Sequence, residues 1–349
     1  VVRNLVGEVR VLPAQSNELR IESTIVAADK ADLNKIEIIQ LEESGQIEIR
    51  TRYPVEDYSY FYYAPDYRNS TTNTSVRYQG EKVGVGSKRR NKNAIDIHVD
   101  YVIYLPRRAE LKVALAAGKI DARDVDADLG LDTKSGAIGI TNTQGVAILD
   151  TGSGQLTASA HVGRLSLDTG SGDITASSVT GDVYADTGSG GIELQDIVGN
   201  ITADTGSGDI TITQANGKVS ADTGSGSIEL EGTTGSVNAD TGSGSIKLVD
   251  WRGGEQLLVD TGSGSVRVDG DLGQVERLDI ETGSGSVRVF TSTVPSVRLD
   301  ISSRTGIDVD MPQLSEVKKS RGRYRARIGE GAGVASIETG SGSVTFKLK

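Results

Sequence analysis

The chain has 349 residues, with 48 acids against 37 bases, a net charge of −11, no Cys and two His. That composition excludes disulfides, thiolate metal sites, Cys nucleophiles and any site built on several imidazoles. A chain this acidic repels phosphate backbones, so no nucleic-acid partner is expected. Hydrophobic residues make up 36% and aromatics 4%, while Gly numbers 44. Gly and small side chains must therefore fill a role that large ones usually fill. No run approaches the ~18 apolar residues of a membrane span, so no transmembrane segment is expected.

In chain order, the first elements are alternating strands: Asn4-Leu-Val-Gly-Glu-Val-Arg-Val, Leu19-Arg-Ile-Glu-Ser, Ile36-Glu-Ile-Ile and Gln46-Ile-Glu-Ile-Arg. Their period of two is that of half-buried β-structure. Residues 53–94 interrupt this grammar. Seven of the eleven Tyr fall between Tyr53 and Tyr78, with Phe61 among them, and the segment continues through a polar stretch to Lys88-Arg-Arg-Asn-Lys. This reads as a long insertion, and its aromatics Tyr58, Tyr60, Phe61, Tyr62, Tyr63 and Tyr67 are candidate partner-binding residues, because Tyr offers rigid amphipathic contact area. The competing reading is that the loop folds down over a sheet edge. Strands resume at Ile95-Asp-Ile-His-Val-Asp-Tyr-Val-Ile-Tyr-Leu-Pro, where His98 shares a face with Asp96 and Asp100. Residues 1–113 are thus expected to form an irregular β cap that shares its core with the remainder of the chain.

From residue 114 to 349 the chain repeats. Asp-Thr-Gly-Ser-Gly starts at Asp150, Asp168, Asp186, Asp204, Asp222 and Asp240, 18 residues apart, and again at Asp260. Asp132-Thr-Lys-Ser-Gly and Ala114-Leu-Ala-Ala-Gly are weaker copies upstream, and Glu281 and Glu338 open two Glu-Thr-Gly-Ser-Gly copies downstream. The interval between those two has room for about two degenerate copies. Within a period, Val219, Ala221 and Thr223 share one face with Ile228 and Leu230 beyond the Gly-Ser-Gly break, while Lys218, Ser220 and Asp222 share the other. Short strands, Gly corners and one fixed period define the fold class: all-β, a single-chain parallel β-solenoid of about 18 residues per coil, stacked at ~4.8 Å. Roughly a dozen coils would give a rod of about 60 Å.

Four features of this region could carry chemistry. Asp-Thr-Gly-Ser is also the signature of pepsin-like aspartic proteases, but two catalytic aspartates must face each other across a cleft, not form a column. The column Asp150, Asp168, Asp186, Asp204, Asp222 and Asp240 needs something to offset its repulsion. Either each carboxylate accepts N–H bonds from its own corner as an Asx-turn, or calcium sits between coils, with Asp173 and Asp209 as extra ligands. His161 lies in a column otherwise held by Val179, Ile197, Ala215, Thr233 and Trp251, which points to a core position. Finally, residues 317–327 hold Lys318, Lys319, Arg321, Arg323, Arg325 and Arg327 without an acid. The four Arg alternate on one face, as a contact patch or as charges guarding a sheet edge.

The opening Asn4-Leu-Val-Gly-Glu-Val-Arg-Val, the central Val99-Asp-Tyr-Val-Ile-Tyr-Leu-Pro-Arg-Arg-Ala-Glu-Leu and the Gly-Ser-Gly-x-Ile/Val repeats together resemble the bacterial putative-adhesin family of β-strand-repeat proteins, a domain family of unknown function. The resemblance spans nearly the whole chain. It implies a parallel β-solenoid at the bacterial cell envelope or secreted, and it supplies no catalytic residues. The expectation is a non-catalytic protein acting in adhesion, scaffolding or self-assembly, with no catalytic residue and no resident cofactor, calcium aside. Its partner would be a second copy, head to tail, or a cell-surface polymer. The alternatives are a polysaccharide-acting enzyme on a β-helix scaffold and a calcium-dependent repeat protein.

Overall fold

The computed structural model describes residues 1–63, 73–86 and 94–349. They are almost entirely β-strand, in two compact units, Val1–Gly172 and Asp173–Lys349. The first unit contains both the described part of the expected cap and the first regular coils.

In that unit two sheets face each other. One runs, neighbour to neighbour, Glu37–Glu43, Gln46–Arg52, Val2–Val6, Ala109–Ala117, Ala127–Thr133, Ala147–Thr151 and Leu165–Thr169. The other runs Arg20–Ala27, Ile97–Leu105, Val9–Pro13, Ile120–Arg123, Ile138–Gln144 and Leu156–Val162. The ladders are parallel except at the two outermost pairs, where Glu37–Glu43 and Arg20–Ala27 pair antiparallel. The coil Val2–Pro13 does not stand at the end of its stack. Val2 pairs with both Ile49 and Val113, and Val9 with both Tyr101 and Ile120. A small third sheet, Asn73–Tyr78, Glu81–Gly86, Tyr60–Tyr62 and Ala94–Ile95, belongs to the insertion.

The second unit repeats the coil. Val183–Thr187, Ile201–Thr205, Val219–Thr223, Val237–Thr241 and Gln256–Thr261 ladder in parallel register, opposite Ile174–Thr180, Ile192–Val198, Ile210–Asn216, Ile228–Glu231 and Ile246–Arg252. Val219, Ala221, Thr223, Ile228 and Leu230 are all buried, as the alternation requires. The late part of the chain departs from sequential stacking. Gly333–Thr339 lies between Arg277–Thr282 and Val297–Ser303, and Ser343–Leu348 lies between Val287–Thr291 and Gly306–Asp310. Glu281 and Glu338, 57 residues apart in sequence, are therefore direct neighbours. The interval between them holds one further coil and a hairpin, Leu314–Ser320 with Arg323–Ile328, that covers the stack.

Two local devices shape each coil. At the Gly-Ser-Gly corner successive backbones nearly touch: a Cβ on Gly226 would lie 1.8 Å from the Gly208 carbonyl oxygen. On the opposite sheet, one residue per coil takes a left-handed backbone: Asn142, Ala160, Ser178, Asp196, Gln214 and Asp250 have φ between 51° and 56°, and Gly232 has φ 63°. This shifts the alternation by one residue, so Thr143, His161, Val179, Ile197, Ala215, Thr233 and Trp251 turn inward.

Candidate functional site

The corner is built by Thr, not Asp. Thr223 Oγ1 donates to the Gly208 carbonyl of the preceding coil (2.9 Å) and accepts from Gly226 N of its own corner (3.1 Å). Thr205 and Thr241 do the same. The expected Asp-centred turn is thus replaced by a Thr-centred one. The reason is facing: Thr points into the stack, where its hydroxyl finds the neighbouring carbonyl, and Asp points out.

The column carboxylates are consequently left on the surface. In the second unit Asp186, Asp204, Asp222, Asp240, Asp260, Glu281 and Glu338 stand in lateral register, one per strand. In the first unit Asp132, Asp150 and Asp168 do likewise. Partial desolvation, then the flanking carboxylates, push the Asp204 and Asp240 pKa values up. For Glu281 the foremost cause is the Asp260 carboxylate. Asp173 and Asp209, the expected extra calcium ligands, instead cap the next coil by accepting from Gly191 N (2.9 Å) and Ser227 N (2.7 Å). Among the described residues no three His, Asp or Glu side chains converge as a metal-binding group.

The ladder has a measurable signature. Its raised pKa values mean the folded state holds more protons than the unfolded chain, so its contribution to stability grows as pH falls through the carboxylate range and is lost as pH rises above it. His161 opposes this: burial depresses its pKa, so the folded state prefers the neutral ring and loses stability as pH falls below ~6.5. Adjacent carboxylates at ~4.8 Å repel by up to about 1 kcal/mol in water. A D204N/D222N/D240N variant is expected to melt higher than wild type at neutral pH in low salt. Its acid-side gain should be flatter, and the difference should vanish in ~1 M NaCl, where the screening length is about 3 Å. Scanning calorimetry across pH and salt checks this; equal melting temperatures at low salt would remove the ladder from the account.

His161 is a core residue, 1% exposed, with Nδ1 2.9 Å from Thr143 Oγ1 and Nε2 3.4 Å from the Arg164 carbonyl. His98 Nε2 lies 3.8 Å from Asp100 Oδ2, with the Tyr63 ring edge-on at 5.2 Å.

The Tyr-rich insertion divides. Tyr60, Phe61 and Tyr63 are buried, so these rings form core and do not offer a contact surface. Tyr53 ties the insertion to the opening strand Val2–Val6. Its hydroxyl donates to Asn4 Oδ1 and the Val6 carbonyl (both 2.9 Å), and its ring meets Phe61 and Tyr78 edge-on. Tyr58 and Tyr62 are half-exposed, and Lys35 Nζ reaches Tyr58 Oη at 2.7 Å. Tyr67 lies outside the described residues.

Of the basic segment only the Lys318 and Lys319 strand is an edge; Arg323, Arg325 and Arg327 stand on a strand paired on both sides, and their charges find acids across the fold. Arg323 forms a two-pronged pair with Asp300 (2.8 and 2.6 Å), and Arg325 binds the same carboxylate (3.0 Å). Arg327 pairs with Glu316 (2.9 Å). The guanidinium groups hold the Asp300 pKa below the usual range, Arg323 foremost. Arg321 sits in the exposed hairpin turn, and Lys318 and Lys319 stand on the outermost strand.

Sequence reasoning missed one arrangement. The acidic column of the first unit continues across the sheet as Asp132, Ala114, Arg3 and Arg50, strand by strand. The residues come from four separate stretches of sequence, so no local motif announces them.

No helix among the described residues is long and apolar enough to cross a membrane. No curated protein matches the chain. A solved structure described as that of a "putative cell adhesion protein" from Clostridium sporogenes aligns with 100% of this chain and 91% of its own, at 11% identity and a TM-score of 0.20, too low to carry an argument. The pattern of the Toastrack DUF4097 family matches residues 36–293 and, in an overlapping second match, 183–347. With in-register coils throughout both units and a family match over most of its length, the chain belongs to the Toastrack DUF4097 family.

Proposed function

We propose that this protein is a non-catalytic scaffold or adhesion module of the bacterial envelope or its exterior, and that copies join edge to edge. One observation carries the reading: each unit ends its longer sheet in an exposed strand, and the two strands differ in charge. Glu37–Glu43 is exposed along nearly its whole length and carries Glu37, Glu42 and Glu43. Leu314–Ser320 is equally exposed and carries Lys318 and Lys319, with Arg321 beyond it. An unpaired strand edge is a template for another strand, and strand addition between copies is a known recognition mode. Opposite charges favour that pairing over like-with-like contact.

Sedimentation velocity over a concentration series tests this. Wild type is expected to form salt-sensitive oligomers. K318E/K319E and E42K/E43K should each weaken them, and mixing the two variants should restore association. A wild-type monomer at every concentration and salt would refute edge joining.

A further inference from the structure

The row Asp132, Ala114, Arg3, Arg50 forms the floor of a cleft of about 700 Å³, walled by Ser75, Arg77 and Tyr78 of the insertion and flanked by Lys134. Its size is within the usual range for small-ligand sites. The cleft exists because the ladder changes character here. At Ala114 the regular carboxylate gives way to a methyl group, which leaves a hollow between an acid on one side and two guanidinium groups on the other.

The cleft is basic although the chain as a whole carries a net charge of −11. Arg3, Arg50, Arg77 and Lys134 line it against one carboxylate, Asp132. Glu48 offsets part of this, taking Arg3 Nε at 2.8 Å and Arg50 Nη2 at 3.0 Å, and it fixes both guanidinium groups side by side. The wall is anchored by Tyr78, whose hydroxyl donates to the Thr51 carbonyl at 2.7 Å. Asp132 Oδ1 is buried and has no hydrogen-bond partner in the structure. A desolvated carboxylate short of donors is costly, and Asp132 lines the cleft, where a ligand hydroxyl can donate to the accessible side of the group.

We infer that this cleft binds an acidic saccharide unit of the uronate type, its carboxylate held by Arg3, Arg77 and Lys134 and one of its hydroxyls donating to the Asp132 carboxylate. The two ends of the site match the two kinds of group on such a sugar. Guanidinium groups bind carboxylates with charge-assisted bonds, whereas a bare anion would leave Asp132 unsatisfied and be repelled by it. Arg3 and Asp132 stand two strands apart, ~9.6 Å between backbones, which is room for one sugar ring with its carboxylate. The inference adds a ligand class to the adhesion reading and does not require edge joining.

Isothermal titration with an oligogalacturonate, a neutral oligosaccharide of the same length and inorganic phosphate tests it. Wild type and the K318E/K319E variant are titrated in parallel, so a failure of association is read separately from a failure of binding. The oligogalacturonate is expected to saturate both proteins, with the other two probes markedly weaker. Arg77→Ala should weaken uronate binding by about tenfold, the loss of one charge-assisted hydrogen bond. Asp132→Ala should weaken uronate binding without weakening phosphate. Should Arg77→Ala lower the melting temperature, Lys134→Gln replaces it, since Lys134 is exposed. No uronate binding at millimolar concentration overturns the inference. So does phosphate binding as tightly as the uronate, or indifference of the uronate to both cleft variants.

Discussion

Gly226→Ala is expected to destabilise the second unit by roughly 3 kcal/mol or more, near the top of the range for overpacking. The added Cβ would sit 1.8 Å from the Gly208 oxygen, 2.4 Å from its carbonyl carbon and 2.9 Å from Asp209 N. All three are backbone atoms, so no rotamer change relieves the clash. Only separation of the two coils would, and that breaks the Thr223 bond to Gly208 and the Gly224 N–H bond to Thr205. Gly306→Ala is the matched control. It is exposed, and nothing lies within 4 Å of its added Cβ, so its effect should stay within about 0.5 kcal/mol. Urea unfolding followed by circular dichroism compares the two. Equal midpoints would mean that coil spacing is far softer than the geometry says.

Trp251→Ala is expected to cost about 3–5 kcal/mol. The indole is 0% exposed and donates from Nε1 to the Gly235 carbonyl at 2.9 Å. It fits because its neighbours in the stack are small, Gly270 in register on one side and the Thr233 coil on the other. Removing it therefore opens a cavity that no adjacent large side chain can fill. Trp251→Phe separates the two contributions. It keeps most of the packing and strands the Gly235 oxygen, for a cost of about 1–3 kcal/mol. Thermal melts of both variants, read by circular dichroism, test the order wild type, Phe, Ala. A Trp251→Ala protein as stable as Trp251→Phe would show that the site collapses on itself.

The coil was legible because every term in it is local and repeated. Alternation at Val219, Ala221 and Thr223, the corner glycines and the Ile columns each point to the same stacked strand, and their agreement over many periods leaves no rival fold. The left-handed position was hidden by its chemistry. Asn142, Ala160, Ser178, Asp196, Gln214, Gly232 and Asp250 share a backbone conformation but no side-chain type; the three Asx and one Gly were the available hint. Pairings set by distance in space were also out of reach. Asp300 neutralises Arg323 and Arg325 across 23 and 25 residues, so a segment that reads as free positive charge is mostly paired. The Tyr cluster was ambiguous in principle, since the same rings serve as core or as contact surface. Burial of Tyr60, Phe61 and Tyr63 follows from strand pairing that only the fold reveals.

The coils Val2–Pro13 and Gly333–Leu348 each lie inside their own stack, with further strands beyond them and a ladder on either side. Tension led into such a coil cannot peel it away bond by bond, as it could an outermost strand. It loads two parallel ladders at once and in shear, so many hydrogen bonds must fail together. A fold assembled from weak, identical rungs thereby resists pulling at these two coils.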